Sequence, residues 1–356
     1  MNNGHDMTVY KQWATRPADE RFASMEDLER HLKAKRERAK GAKGNLQKLR
    51  FAPHNGAPAI ECGAFDRPIV PNNWMFGQLA TQVGAPGSYL RKLSPELASE
   101  CLNYSLARAP QEVGVKLLME DTPGALLGRA ATGPEYGRIW NTDVFQMVER
   151  FNEMSGGAFY APWDWSKTFR SLFAGDRDMF MFMIDGGSLV DGGGERDQLY
   201  RGFYTWNSEV GSATWGIAMF LFQQCCGNFQ IWGQTQRTEI KMRHTKGAPV
   251  KFQEIYNNLS KYLTAGTSDE VAMIHRAKAF ELPSNDNARL NWVLDRGFTK
   301  TEAKGAIELA LDTIGDCKNL WQLVDGLTML SRNYSFMDER LDLDKRAGKL
   351  MDLVIA

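Results

Sequence analysis

Asp176, Asp178 and Asp185, followed by Glu209 beyond a glycine-rich stretch, are the residues whose type and spacing come nearest to metal-ion chemistry. In an extended segment Asp176 and Asp178 project from one face, and two-metal nuclease catalysis needs such convergent oxygens. Arg177 stands between the pair, however, and the D-x-D spacing is common by chance, so a metal-dependent nuclease using Asp176, Asp178 and Glu209 ranks third among the readings. The histidines (His5, His31, His54, His244 and His275) are scattered and none has a partner at ligand spacing, which favours surface or capping roles. No G-x-S-x-G elbow marks a serine nucleophile. The five cysteines, Cys62, Cys101, Cys225, Cys226 and Cys317, are odd in number and contain no C-x-x-C, which argues for reduced thiols over a disulfide framework or structural zinc. The stretch "DGGSLVDGGGERD" lacks a following G-K-[ST], and its acidic residues would repel phosphate, so it reads as a hairpin tip. No catalytic residue, cofactor or metal site is expected.

Binding chemistry is better supported. In "RTEIKMRHT", alternation places Arg237, Lys241, Arg243 and Thr245 on one face with Glu239, and Ile240 and Met242 on the other. One side is core and the other a basic stripe. A second basic segment, "KAKRERAKGAK", carries Lys33, Lys35, Arg36, Arg38 and Lys40. Phe229 and Trp232 sit just before the stripe, and Phe203, Trp206 and Trp215 lie across the proposed hairpins. Basic groups that track phosphates, combined with rings that stack on unpaired bases, are what single-stranded DNA or RNA requires.

The elements that must carry these residues can be read from capping and periodicity. Ser24 with Asp27 opens a helix over about Met25 to Lys40, its basic residues gathered at the far end, and "GAKGN" then breaks it. Small strands follow from Leu46 to Ile69, then short helices at "PNNWMFGQLATQVG" and at "SPELASECLNYSLA", where Ser94 caps and Pro95 takes the first position. "VGVKLLME" and "ALLGRAAT" read as strands, "NTDVFQMVERFNEM" as an amphipathic helix, and "MFMFMID", "GFYTWNS", "WGIAMFLFQQ" and "NFQIWG" as further strands. In "RGFYTWNSEVG", Asn207 and Ser208 form turns and Gly211 permits positive φ, so a hairpin corner is expected there. Beyond Pro249 the pattern is helical, with Thr299 and Glu302 as a capping box. The expected class is α+β: a basic helical arm (1–45), a central body rich in antiparallel sheet with flanking helices (46–247), and a helical C-terminal region (248–356).

The 356 residues carry 43 basic and 43 acidic groups, so only local asymmetry can announce a charged partner. From Arg30 to Arg50 nine Lys and Arg face one acid, Glu37, and that imbalance is the local asymmetry in question. No apolar run nears the roughly 20 residues that cross a bilayer, and the first residues lack a signal-peptide core, so a cytoplasmic protein with no membrane partner is expected.

Several stretches are also familiar: "RPADERFASMEDLERHLKAKRERAK", "WMFGQLATQVGAPGSYLRKLSPELASECLN", "YGRIWNTDVF", "RDMFMFM", "RGFYTWNSEVGSA" followed by "CCGNFQIWG", and "NLWQLVDGLTMLSR". From about Arg16 to Met351 the chain resembles the phage/plasmid-like protein family, domains of unknown function spread among bacteriophages, plasmids and prophages. The most specific pieces are Asn207-Ser-Glu-Val-Gly211 and Cys226-Gly-Asn228. The resemblance implies a mobile-element origin and one family-length architecture; it implies no reaction. Phages often encode proteins that coat or anneal single strands, and with the basic segments this makes a non-enzymatic single-strand-binding or annealing protein, assembled as a homo-oligomer, the leading expectation. The rival is a protein-interaction factor that antagonises a host restriction or defence system, with a host protein as partner.

Overall fold

Local capping chemistry starts most of the helices. In the computed structural model, which describes residues 17–61, 63, 65–110, 113–161, 171–193, 198–225, 228–232, 239–245, 257, 259–261, 268–331, 333, 343 and 346–354, with the backbone alone given for those between 220 and 241, Ser24 accepts the N–H of Asp27 at 3.1 Å and opens α1, Met25–Glu37. Asn72 does the same for α2, Asn73–Gln82, through Met75 N at 2.8 Å. After the short α3, Gly87–Leu90, Ser94 and Pro95 begin α4, Pro95–Ala107. Helix α5, Asn141–Met154, has Trp140 at its N-cap with no side-chain cap of its own. The C-terminal helices are α6, Ser268–Ala279, α7, Asp286–Leu294, α8, Lys300–Ile314, and α9, Leu320–Ser331. The capping box of Thr299 and Glu302 opens α8, and Gly315, at φ 87°, closes it.

The strands form two sheets, and the class is α+β. The first has eight strands in the order β1 (Arg21–Phe22), β9 (Leu172–Ala174), β10 (Met179–Asp191), β11 (Gln198–Asn207), β12 (Trp215–Cys225) and β13 (Asn228–Trp232); β8 (Phe159–Tyr160) also pairs with β10 and β14 (Glu239–Met242) with β12. All its pairings are antiparallel. The second has six strands in the order β2 (Ala39–Asn45), β6 (Gly114–Thr122), β7 (Ala125–Thr132), β5 (Ile69–Pro71), β4 (Ala57–Glu61) and β3 (Arg50–His54), with β5 and β7 parallel and the others antiparallel.

Alternation along β10 puts Met179, Met181 and Met183 on one face, where Phe203, Trp215 and Ile217 join them. Leu28 and Leu32 of α1, with Val144, Phe145, Val148 and Phe151 of α5, cover that face. The basic N-terminal helix is therefore docked through its apolar side, with Leu28 fully buried. The second sheet packs Leu117, Met119 and Leu126 against Met75 and Leu79 of α2 and Leu102 and Leu106 of α4. The C-terminal helices build a third core that includes Val190 and Leu199 from the far ends of β10 and β11. There Arg201 grips Glu270 of α6 through three contacts of 2.9, 2.6 and 2.7 Å, in the fork geometry that suits a carboxylate. Among the described residues no helix is long and apolar enough to cross a membrane.

Two expectations need correction. Helix α1 stops at Glu37, and the stretch read as a helix end and break forms β2, pairing with β6 from Ala39↔Glu120 to Asn45↔Gly114. The pairing supplies partners for the backbone groups that face β6 in a glycine-rich segment whose own propensity favours no element. Trp206, expected to stack on a base, is buried at 3% exposure among Phe173, Phe180 and Tyr204. Its ring lies flat over its cross-strand neighbour Gly216, where an added Cβ would sit 2.1 Å from Trp206 Cζ2.

Gly216→Ala therefore drives a methyl group into the indole and is expected to lower unfolding free energy by about 1–3 kcal/mol, the usual range for overpacking. Urea denaturation of the two proteins checks it; equal midpoints would show that the ring does not depend on the missing side chain.

Candidate nucleic-acid interface

The corner between β11 and β12 is a hairpin turn, with Gly211 exposed at φ 80°, but the residues that lead into it are not at the surface. Asn207, Ser208 and Val210 are fully buried and Glu209 is 6% exposed. A buried turn has backbone carbonyls that need partners, and here side chains from other elements supply them. Tyr136 Oη donates to Ser208 O at 2.8 Å, Arg138 to Glu209 O, and both Trp74 Nε1 and Gln78 Nε2 to Val210 O at 2.9 and 2.8 Å. Ser208 Oγ in turn donates to Arg177 O at 2.6 Å, and Asn207 Nδ2 to Ile139 O and Asn141 Oδ1 at 3.0 and 2.7 Å.

Glu209 closes the arrangement. Its Oε1 accepts the N–H of Asn141 at 2.9 Å, giving α5 the cap that Trp140 lacks, and its Oε2 meets Arg129 at 3.0 Å. Arg129 reaches it from a β-bulge. The register steps from Leu118↔Ala130 to Met119↔Gly128, so Arg129 has no opposite residue and turns toward the same side as Ala130.

On the outer side of this joint lie two tryptophans and several arginines. Trp74 and Trp140, both half-buried, pack on Leu118, Ala130 and Val210. The guanidinium of Arg36 sits 3.5 Å from the Trp140 ring centre, that of Arg138 5.6 Å from it, and that of Arg177 5.0 Å from the Trp74 ring centre. Arg36 and Arg177 are exposed. Burial of Arg36 and Arg138 against their neighbours lowers the pKa of both, which remain cations.

The structure distributes the residues expected from sequence unevenly. Arg36 belongs to this cluster. Arg38 leaves the end of α1 to bond Glu120 through Nε at 2.8 Å, Lys35 turns inward to Gly175 O at 3.0 Å, Lys33 is exposed beside Glu29, and Lys40 is exposed on edge strand β2. Arg243 is exposed just past β14, Lys241 pairs with Gly216 in backbone register, and Met242 is buried as alternation required. Arg237 lies outside the described residues, and for Trp232 the described backbone pairs with Leu221. Trp74, Trp140, Arg138 and Arg177 went unrecognised in the sequence, because Trp74 reads as one apolar residue of a helix and Trp140 and Arg138 as part of a connector.

The carboxylates do not converge. Asp176 is 69% exposed at its side chain and pairs with Lys35 at 3.4 Å, whereas both oxygens of Glu209 are engaged. Among the described residues no group of three or more His, Cys, Asp or Glu side chains is placed to hold a metal ion. Comparison of the chain with models of protein families, with curated proteins and with solved structures gives no match.

Two outcomes follow from the buried joint. Glu209→Ala leaves the Arg129 charge buried and unpaired, and is expected to cost about 3–5 kcal/mol, whereas the double replacement Arg129→Met, Glu209→Met removes both charges and costs less than the single change. Urea denaturation of the two variants measures this; a double variant no more stable than Glu209→Ala would show that the ion pair is not what the joint depends on. His244, stacked on Tyr136 at 5.0 Å between ring centres, is held by burial, and secondarily by Arg138, at a pKa of about 4 against the usual 6.5. Its folded pKa lies below the unfolded value, so the unfolded chain takes up the proton first, and stability falls as pH drops from 6.5 toward 4 and then levels. Burial shifts His31 in the same direction, so the contribution of His244 is read as a difference. Replacement His244→Gln is expected to flatten the unfolding free energy from urea denaturation against pH by up to about 3 kcal/mol, at 1.36 kcal/mol per pH unit; identical profiles would refute it.

Proposed function

We propose that this chain is a non-enzymatic, single-strand-preferring nucleic-acid-binding protein of phage or plasmid origin, and that the strand lies across the Trp74 and Trp140 platform. One observation carries the reading: two half-buried indoles share a rigid apolar seat, and the guanidinium groups of Arg36, Arg138 and Arg177 lie against them. Arginine stacked over indole offers phosphate oxygens a charged donor and an unpaired base a guanidinium plane to stack on, and stacking contributes about 1–3 kcal/mol per base. Exposed Lys33 and Lys40 extend the basic surface along α1 and β2. The preference for single strands rests on the rings, because paired bases keep their faces stacked within a duplex.

The likeness to the phage/plasmid-like family supports the mobile-element origin and leaves the chemistry to these residues. The contact set differs from the one the sequence suggested. Arg36 stays, Trp74 and Trp140 replace Trp206, and Arg177 joins from the turn before β10.

Fluorescence anisotropy of a labelled single-stranded oligonucleotide, with matched duplex and RNA, tests the proposal. Binding is expected to weaken steeply with salt, since each neutralised phosphate releases counterions. The Arg36→Ala, Arg177→Ala variant is expected to bind about 10-fold or more weakly, with a shallower salt slope, and Arg243→Ala to lose less. Flat traces at low salt, or a double variant that binds like the parent, would overturn the reading.

A further inference from the structure

The two edges of the second sheet are not alike. At β3 the two-residue turn Asn55-Gly56, with φ 47° and 79°, makes His54↔Ala57 a hydrogen-bonded pair, so alternation along the ladder directs the backbone of Phe51 and Pro53 away from β4. Both positions are closed to a further strand. Asn103 of α4 donates to Phe51 O through Nδ2 and accepts the N–H of Phe51 at Oδ1, each at 2.8 Å, and Pro53 has no N–H to offer.

The opposite edge, β2, carries no such cover among the described residues. Asp121 N donates to Arg38 O at 2.8 Å and Leu46 N to Val113 O at 3.0 Å, which sets the even-numbered residues of the ladder against β6 and turns the N–H and C=O groups of Ala39, Gly41 and Lys43 outward. No hydrogen bond from a described residue reaches them, and Gly41 is exposed. Lys40 and Lys43 are exposed too, project from opposite faces, and have no ion-pair partner among the described residues. Lys43 stands directly opposite Lys116 of β6, whose Nζ is spent on Tyr136 O at 2.9 Å, a pairing of like charges that an added carboxylate would relieve.

We propose that the open edge of β2 accepts an extended acidic peptide of a partner protein as a seventh strand, with carboxylates three residues apart meeting Lys40 and Lys43. Main-chain hydrogen bonds to Ala39, Gly41 and Lys43 supply the hold, and charge supplies the selection. The lysines also decide between occupants. Two copies joined edge to edge would crowd four lysines together, whereas an acidic strand gives each one a partner. The contact is with peptide groups, so it stands whether or not the tryptophan platform binds nucleic acid.

Fluorescence anisotropy of the labelled peptide Thr-Val-Glu-Val-Thr-Glu-Val-Thr with the full chain tests the proposal, against the same peptide with Lys in place of both Glu. The acidic peptide is expected to bind and the basic one not. Gly41→Pro removes an outward N–H and leaves the β6 side of the ladder intact, and Lys40→Glu, Lys43→Glu reverses the charge; each is expected to weaken binding by about 10-fold or more, the second with a gain for the basic peptide. Gly41→Pro changes no charge, so oligonucleotide affinity is expected to stay as in the parent. No binding of the acidic peptide, equal binding of the two peptides, a Gly41→Pro variant that binds peptide like the parent, or one that loses peptide and oligonucleotide equally would each overturn the site. A parent chain that sediments as a dimer and becomes monomeric with Gly41→Pro would give the edge to a second copy and overturn it as well. The charge-reversal variant and its exchanged peptide keep the outcome readable if Gly41→Pro fails to fold.

Discussion

The carboxylate of Glu209 is the point on which the rest of the architecture depends. It is carried by the first sheet, ion-paired to Arg129 of the second, and hydrogen-bonded to the first N–H of α5. An ion pair taken out of water is not stabilising by default, since desolvation offsets much of the attraction. What makes this one tolerable is the remaining coordination: the carboxylate also accepts from a helix N-terminus, where the peptide dipoles favour negative charge. Removing the pair would leave α5 without a cap and the bulge without a purpose.

The same joint determines where a functional surface can exist. Trp74 is anchored because its Nε1 donates to Val210 O inside the turn, and Trp140 because the next residue delivers its N–H to Glu209. Each indole is therefore fixed from its inner side, which leaves the outer side to the guanidinium groups of Arg36, Arg138 and Arg177. A ring held in this way loses little rotamer freedom when something stacks on it, and the entropic cost of binding falls accordingly.

Short-range physics was legible in the sequence, and long-range pairing was not. Caps at Ser24, Ser94 and Thr299, the alternation of Met179, Met181 and Met183, and the turn at Gly211 are encoded by residues a few positions apart, and each appears where the pattern put it. Strand β2 was lost because its glycines and lysines have no strand propensity, and it exists only through the backbone of β6. Trp206 was misjudged because alternation says that a residue has a face and not what covers it; the answer, Gly216, is a missing side chain on the neighbouring strand. Arg129 is the hardest case. "ALLGRAAT" gives no sign of a bulge, and the carboxylate that explains the arginine lies 80 positions away.

A buried ion pair, a capped helix and side-chain donors on three successive carbonyls of one turn share a property that apolar packing lacks. Hydrophobic contact is non-directional, and the back of the second sheet could meet an apolar partner in many registers at similar free energy. Hydrogen bonds to Ser208, Glu209 and Val210 carbonyls, by contrast, are satisfied in one placement of the turn and lost when it shifts by a residue. Polar joints of this kind exchange some stability for a single arrangement of the elements they connect. In this chain the arrangement so selected is the one that seats two indoles on Leu118, Ala130 and Val210 with three arginines against them, and it is also the one that leaves Nε and NH1 of Arg129 without a partner among the described residues.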